Sequence, residues 1–367
     1  MSCDLLALAT KGVAGLHPYS AGKPIEELQR DLGLDEIIKL ASNENPMGPS
    51  QSVLDVIAST KELSRYPDGN GFSLKKSLSA KHNIDPEKIT LGNGSNDILE
   101  MVTRAFVTAE HQVIYSQHSF AVYPIVTQAV GAEHVVVPAN DWGHDLSEML
   151  KAITDRTKLI FIANPNNPTG TWLNKSDLRN FIENIPDYVL VLLDEAYFEY
   201  AINEINYPDC SLWLDEFKNL IVTRTFSKAY GLAGLRVGYG LSHPDIANLL
   251  NRVRQPFNNN SLALVAAETA LKDEQYIERS VEVNNAGMKQ LILAFDDMGL
   301  EFIPSKGNFI SVDFEQPANE IYEALLMAGV IVRPVANYGM PNHLRISIGT
   351  ETENSRFINA LAKVLSN

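Results

Sequence analysis

The chain has 367 residues, 45% hydrophobic and 20% charged, which is globular by composition and long enough for one large domain with a satellite or for two domains. A formal net charge of -15 with no cluster of Lys and Arg excludes a nucleic-acid surface, and any anion site has to be built locally from a few arginines and helix N-termini. Two cysteines, Cys3 and Cys210, are too few for a disulfide framework or a cysteine zinc site and suit a reducing cytoplasm; the eight histidines show no metal-ligand spacing, and no apolar run spans a bilayer or completes a signal peptide.

In chain order, residues 1–35 read as an N-terminal arm, in which Leu16-His-Pro-Tyr-Ser-Ala-Gly-Lys-Pro-Ile-Glu-Glu-Leu places two prolines and apolar Leu16, Ile25 and Leu28 around a short helical pattern. Ile37-Ile-Lys-Leu-Ala-Ser-Asn-Glu-Asn-Pro-Met-Gly-Pro is a short strand running into turns; residues 50–63 have helical spacing, broken by Arg65-Tyr-Pro-Asp-Gly. From Ile89 strands alternate with helices as in α/β proteins. Strands are expected near Thr90, at 113–115, 133–138, 158–164, 188–194 and 219–223, and helices from Ser95 or Asn96, within 118–130 and over 174–185. The run Tyr188-Val-Leu-Val-Leu-Leu-Asp is apolar without alternation, as in a strand covered on both faces. Beyond His243 the pattern turns helical, at 247–253 and in one long run over 261–298. A boundary near Leu271 divides a large domain, 36–270, with a mostly parallel sheet flanked by helices, from a small α+β domain, 271–367, with strands at 309–314, 329–334 and 343–348.

The chemistry centres on Thr223-Arg-Thr-Phe-Ser-Lys-Ala-Tyr-Gly-Leu-Ala-Gly-Leu-Arg-Val-Gly-Tyr-Gly, which follows a β-branched run and so puts Lys228 on a turn at a strand end. A lysine able to form a Schiff base, hydroxyls at Thr225 and Ser227 and an arginine, Arg236, suited to bidentate phosphate contact are what pyridoxal phosphate needs. The Gly92-Asn-Gly-Ser-Asn-Asp turn opens a helix, so Gly94, Ser95 and Asn96 offer free N–H groups to an anion; Asp97 stands where a dinucleotide fold needs glycine.

Ser-Lys-x-x-Gly-x-x-Gly-x-Arg-x-Gly-Tyr resembles the cofactor segment of the fold type I, pyridoxal-phosphate-dependent aminotransferases, and the resemblance covers almost the whole chain. It implies that Asp194, in Asp-Glu-Ala-Tyr, keeps the pyridine nitrogen protonated, and that Tyr197 and Asn167, the latter in Asn164-Pro-Asn-Asn-Pro-Thr-Gly, hydrogen-bond the ring's phenolate oxygen. It places Phe120 over the ring, a position often held by Tyr, and Tyr66 on the partner subunit's cofactor phosphate in a homodimer. The arm motif, Ala41-Ser-Asn-Glu-Asn-Pro-Met-Gly-Pro and Arg252-Val-Arg-Gln-Pro-Phe-Asn-Asn-Asn-Ser-Leu-Ala are similar to the histidinol-phosphate aminotransferase branch, except that Asn259, expected near the substrate pocket, replaces a common Val. The implied reaction passes the amino group of L-histidinol phosphate to 2-oxoglutarate, giving imidazole acetol phosphate and glutamate, with Arg333 and Arg345 on the substrate anions and Tyr19 closing the pocket. An aromatic amino-acid aminotransferase of the same fold is the nearest alternative, since imidazole and phenyl pockets need similar walls. A decarboxylase of related fold would release carbon dioxide instead, and a regulator's effector domain would bring a DNA-binding arm that is missing from the sequence.

Overall fold

After two short helical turns at Leu6–Leu8 and Lys11–Ala14 come the helix Ile25–Leu32 and a two-residue strand, β1 (Ile38–Lys39). This is a computed structural model that describes residues 5–19 and 22–366, so Cys3 and the Ser20-Ala21 part of the arm motif lie outside the described residues. Seven strands, β2 (Ile89–Gly92), β3 (Gln112–Ser116), β4 (Glu133–Val137), β5 (Thr157–Ala163), β6 (Leu190–Asp194), β7 (Leu220–Thr225) and β8 (Gly238–Ser242), form one sheet in the order 2-8-7-6-5-3-4. The pairings are parallel except those of β8, which is antiparallel to both β2 and β7.

Strand β6 is buried throughout, as its unbroken apolar run requires. Val191 and Leu193 point into a core shared with the helices Phe72–His82, Lys175–Glu183 and Ser261–Ala270, whereas Leu190 and Leu192 join the opposite core under Ser95–Phe106, Val122–Ala129 and Pro244–Val253. The two-residue alternation of a strand thus feeds two helical layers, and the sheet is sealed on both sides. Among the described residues no helix is long and apolar enough to cross a membrane.

The C-terminal part carries β9 (Phe302–Ile303), β10 (Phe309–Asp313), β11 (Val330–Ile331), β12 (Arg333–Pro334) and β13 (His343–Ser347). Four of these form an antiparallel sheet in the order 12-13-10-9, backed by Leu291 and Phe295 of Glu274–Met298, Leu325 of Asn319–Met327, and Phe357 and Leu361 of Glu351–Leu365. The last helix is fixed at its start by a capping box between Thr350 and Glu353.

Three local readings differ from the sequence pattern. The run expected as continuous over 261–298 divides into Ser261–Ala270 and Glu274–Met298, because the Asp273 carboxylate accepts from the Tyr276 N–H and starts a new helix. The strand expected over 329–334 is two, β11 and β12, in different sheets. β1, read as part of the large domain, pairs in parallel with β11, and Leu28, Ala41, Leu326 and Ile331 form one small core; residues 25–41 therefore pack on the C-terminal unit.

Candidate active site

Parallel strands end together, and in an open α/β sheet the crevice beyond their carboxyl ends is where ligands bind. Here Ala163 closes β5, Asp194 closes β6 and Thr225 closes β7, and all three line a cavity of about 190 Å³. The small sheet supplies the roof through Arg333 and Arg345, which lie directly opposite each other on β12 and β13.

Lys228 follows β7 by three residues and reaches into this cavity. Its Nζ donates to the carbonyls of Ser42 and Asn43, both at 3.2 Å. Burial lowers its pKa to about 7, helped by the positive charges of Arg345 and Arg236 and opposed by Glu44 and Asp194. An amine poised there is uncharged for much of the time near neutrality, which suits proton transfer and nucleophilic attack.

Asp194 is 5% exposed and accepts from the Tyr123 hydroxyl at 2.9 Å and from Thr223 Oγ1 at 3.2 Å. Burial raises its pKa, while those two hydroxyls and the charge of Lys228 pull it back. A ligand cation placed against this carboxylate would oppose the burial penalty and keep it ionised.

At the other end of the cavity the helix Ser95–Phe106 begins directly after Gly94, whose φ is 79°. A Cβ on Gly94 would lie 2.4 Å from a guanidinium nitrogen of Arg236, so only glycine lets that arginine close over the turn. Arg236 donates to Ser227 Oγ at 3.1 Å, and the Ser227 N–H donates to Thr225 Oγ1 at 3.1 Å. Ser95, Asn96, Thr225, Ser227 and Arg236 all line this corner. A helix N-terminus, a guanidinium and three hydroxyls make a donor set suited to a phosphate monoester, and with Lys228 and Asp194 the residues present fit pyridoxal phosphate.

Tyr197 and Asn167 stand on the cavity wall. Asn43 Nδ2 donates to the Tyr197 hydroxyl at 2.9 Å, and burial raises the tyrosine's pKa. Arg345 donates to Asn167 Oδ1 at 2.5 Å and to the Ala41 carbonyl at 2.7 Å. The first bond fixes the amide so that Asn167 Nδ2 remains as the donor. Arg345 Nε is buried without a hydrogen-bond partner among the described residues. Arg333 lies 5.8 Å from the ring of Tyr19, and both line the cavity. Phe120 lines it as well and packs edge-on against Tyr123 at 5.9 Å.

Two residues stand elsewhere. Tyr66 is 81% exposed and stacks on Phe257 at 4.5 Å, away from the cavity of its own chain. Asn259, expected near the substrate pocket, is instead buried behind the anion turn, where its Nδ2 donates to the Gly92 carbonyl at 2.8 Å; a Val could not make that bond. Three contributors went unnoticed in the sequence. Thr223 is the β-register partner of Asp194 and shares a strand face with Thr225, a signal readable from alternation. Tyr123 lies one helical turn from Phe120, whereas Asn43 carried no signal beyond its motif.

Residues 35–361 match the family described as aminotransferase class I and II. The chain is 59% identical over 369 residues to histidinol-phosphate aminotransferase 2 of Pseudomonas fluorescens strain Pf-5, covering 100% of both. It is 55% identical over 359 residues to histidinol-phosphate aminotransferase 1 of Nitrosococcus oceani, covering 98% of this chain and 97% of that one. Among solved structures, the histidinol-phosphate aminotransferase of Sinorhizobium meliloti in complex with pyridoxal-5'-phosphate is similar with a TM-score of 0.91 at 29% identity, covering 98% of each chain. An aspartate aminotransferase of Thermus thermophilus is similar in fold, with a TM-score of 0.84 at 22% identity over 97% of this chain and 99% of that one.

Proposed function

The chain belongs to aminotransferase class I and II, and on that premise we propose that it is a pyridoxal-phosphate-dependent histidinol-phosphate transaminase of histidine biosynthesis, working in the cytoplasm. It interconverts L-histidinol phosphate and 2-oxoglutarate with imidazole acetol phosphate and L-glutamate. The observation that carries the reading is the position of Lys228, half-buried in the cavity that Asp194 and Arg345 also line, with its pKa lowered to about 7.

Pyridoxal phosphate, when bound, supplies an aldehyde that takes up the amino group and a ring that accepts the electron pair of the substrate Cα–H bond. The turn at Gly94, Ser95 and Asn96, with Thr225, Ser227 and Arg236, holds its phosphate. Asp194, steadied by Tyr123 and Thr223, keeps the ring nitrogen protonated. Tyr197 and Asn167, which line the cavity with Phe120, would donate hydrogen bonds to the cofactor's ring oxygen, and Phe120 would offer an apolar surface to its ring. Lys228 would take the proton from the substrate Cα and deliver it to the C4′ carbon of the cofactor. Arg345, with Arg333, binds the anionic end of each substrate in turn, so that no separate cation reserved for one substrate is left unpaired while the other is bound. Tyr19 excludes water from the mouth. A second copy of the chain contributes Tyr66 to the phosphate, so the active unit is a homodimer.

The test is an amino-donor panel with 2-oxoglutarate, read as glutamate formed. Histidinol phosphate should exceed phenylalanine and unphosphorylated histidinol in kcat/KM by at least about tenfold, since loss of one charge-assisted contact is worth roughly 1.5 to 3 kcal/mol. Equal or faster turnover of phenylalanine would favour the aromatic alternative.

A further inference from the structure

Asn43 lies in the turn after β1, is 1% exposed and has φ 54°, a left-handed conformation that Asn tolerates better than most residues. All four of its polar groups are used inside the site. Its N–H donates to Ser347 Oγ at 2.8 Å, and its Oδ1 accepts from the same hydroxyl at 3.1 Å. Its carbonyl accepts from Lys228 at 3.2 Å and from Asn308 at 3.0 Å, and its Nδ2 donates to Tyr197 at 2.9 Å.

These bonds settle directions. The Ser347 hydroxyl accepts the backbone N–H and therefore has its single proton for Asn43 Oδ1, which orients the amide with nitrogen toward Tyr197. An amide nitrogen only donates, so the Tyr197 oxygen is the acceptor of this bond and its own proton points elsewhere, toward the cavity that Tyr197 lines. Ser347 is two residues beyond Arg345, on the same face of β13. The strand that carries Arg345 therefore also holds, through one side chain, the hydroxyl of Tyr197.

We propose that Asn43 is a positioning residue that sets the Tyr197 hydroxyl as a hydrogen-bond donor into the cavity, and that Ser347 locks Asn43 in the orientation this requires. The inference rests on the cofactor reading, in which that hydroxyl meets the ring oxygen. It predicts that Asn43 acts through Tyr197 and not merely as a residue that fits a left-handed turn.

The discriminating variants are Asn43→Asp, which turns the donor into an acceptor and draws the tyrosine proton away from the cavity, and Asn43→Gly, which keeps the left-handed backbone and its carbonyl while removing the amide. The readout is the pH at which the absorbance of bound pyridoxal phosphate changes, because a donor to the ring oxygen favours its deprotonated form. Asn43→Asp should raise that pH by about one unit, and Asn43→Gly and Ser347→Ala by about half as much. In a Tyr197→Phe background, Asn43→Asp should add almost nothing, since the two positions form one interaction. The same cycle in cofactor-free protein, read by chemical unfolding, should show coupling between positions 43 and 197. Should Asn43→Asp not fold, Asn43→Gly and Ser347→Ala, alone and with Tyr197→Phe, carry the test. A full shift persisting without Tyr197, or variants that titrate like wild type, would overturn the inference alone. A wild type that binds no pyridoxal phosphate would sink the proposed function and this inference together.

Discussion

The acid–base character of Lys228 comes from where the chain puts it and not from its own side chain. Burial and the cations of Arg345 and Arg236 together outweigh Asp194 and Glu44 and bring the amine to a pKa of about 7. The sign is specific: below that pH the ammonium is unreactive, and above it the free amine attacks. In cofactor-free protein, competitive labelling with an amine reagent across pH should therefore give half-maximal modification of Lys228 near neutrality. Arg345→Ala removes a repelling charge and should move the Lys228 midpoint upward. A midpoint in the ordinary lysine range for wild type would mean that the amine is solvated. At this scale the sequence was informative wherever a motif carries its own chemistry, as at Lys228, Arg236 and the Gly94 turn. It was silent on Asn43, because a left-handed turn residue becomes meaningful only once Ser347, 304 positions away, is brought beside it.

The elements that end at the cavity are braced from their other face. Alternation along β7 turns Thr223 and Thr225 toward the site and sends Arg224 to the opposite side, where it is 1% exposed. There its guanidinium bonds Glu195 at 2.8 Å and Asp209 at 2.6 Å, and its Cζ lies 3.4 Å from the centre of the Phe198 ring. Glu195 follows Asp194 directly, so the pair ties together the ends of the two strands that position Asp194 and Lys228. Arg224→Ala leaves Glu195 buried without its counter-charge and should cost about 3 to 5 kcal/mol of stability. Chemical unfolding measures it, and a loss under about 1 kcal/mol would show that the ends are held by the sheet alone. Strands β5, β6 and β7 were legible because both faces are covered and each reads as an apolar run. The pairing of β1 with β11 was not, since two-residue strands leave no periodic trace and their partners are set by the core around Leu28 and Leu326. The break at Asp273 was missed because the apolar spacing continues across it and only the cap reveals the new helix.

At the scale of the whole molecule the cavity is assembled from distant stretches: the arm gives Tyr19, the first turns give Asn43, the large sheet gives Asp194 and Lys228, and the small sheet gives Arg345. The residue left outside is Tyr66, held on Phe257 and open to solvent. On the proposed homodimer, mixing a Lys228→Ala chain with a Tyr66→Ala chain should restore activity, because one site of the hybrid would have both residues intact; no recovery in confirmed hybrids, with Tyr66→Ala itself impaired, would mean that Tyr66 serves its own subunit.

The central claim is that the amine of Lys228 carries the cofactor chemistry. The measurement is hydride reduction of the purified, cofactor-loaded protein, followed by digestion and mass mapping of the modified peptide. The account predicts one pyridoxyl group per chain, on Lys228, and its absence in Lys228→Ala; modification confined to another lysine, or none at all, would contradict it.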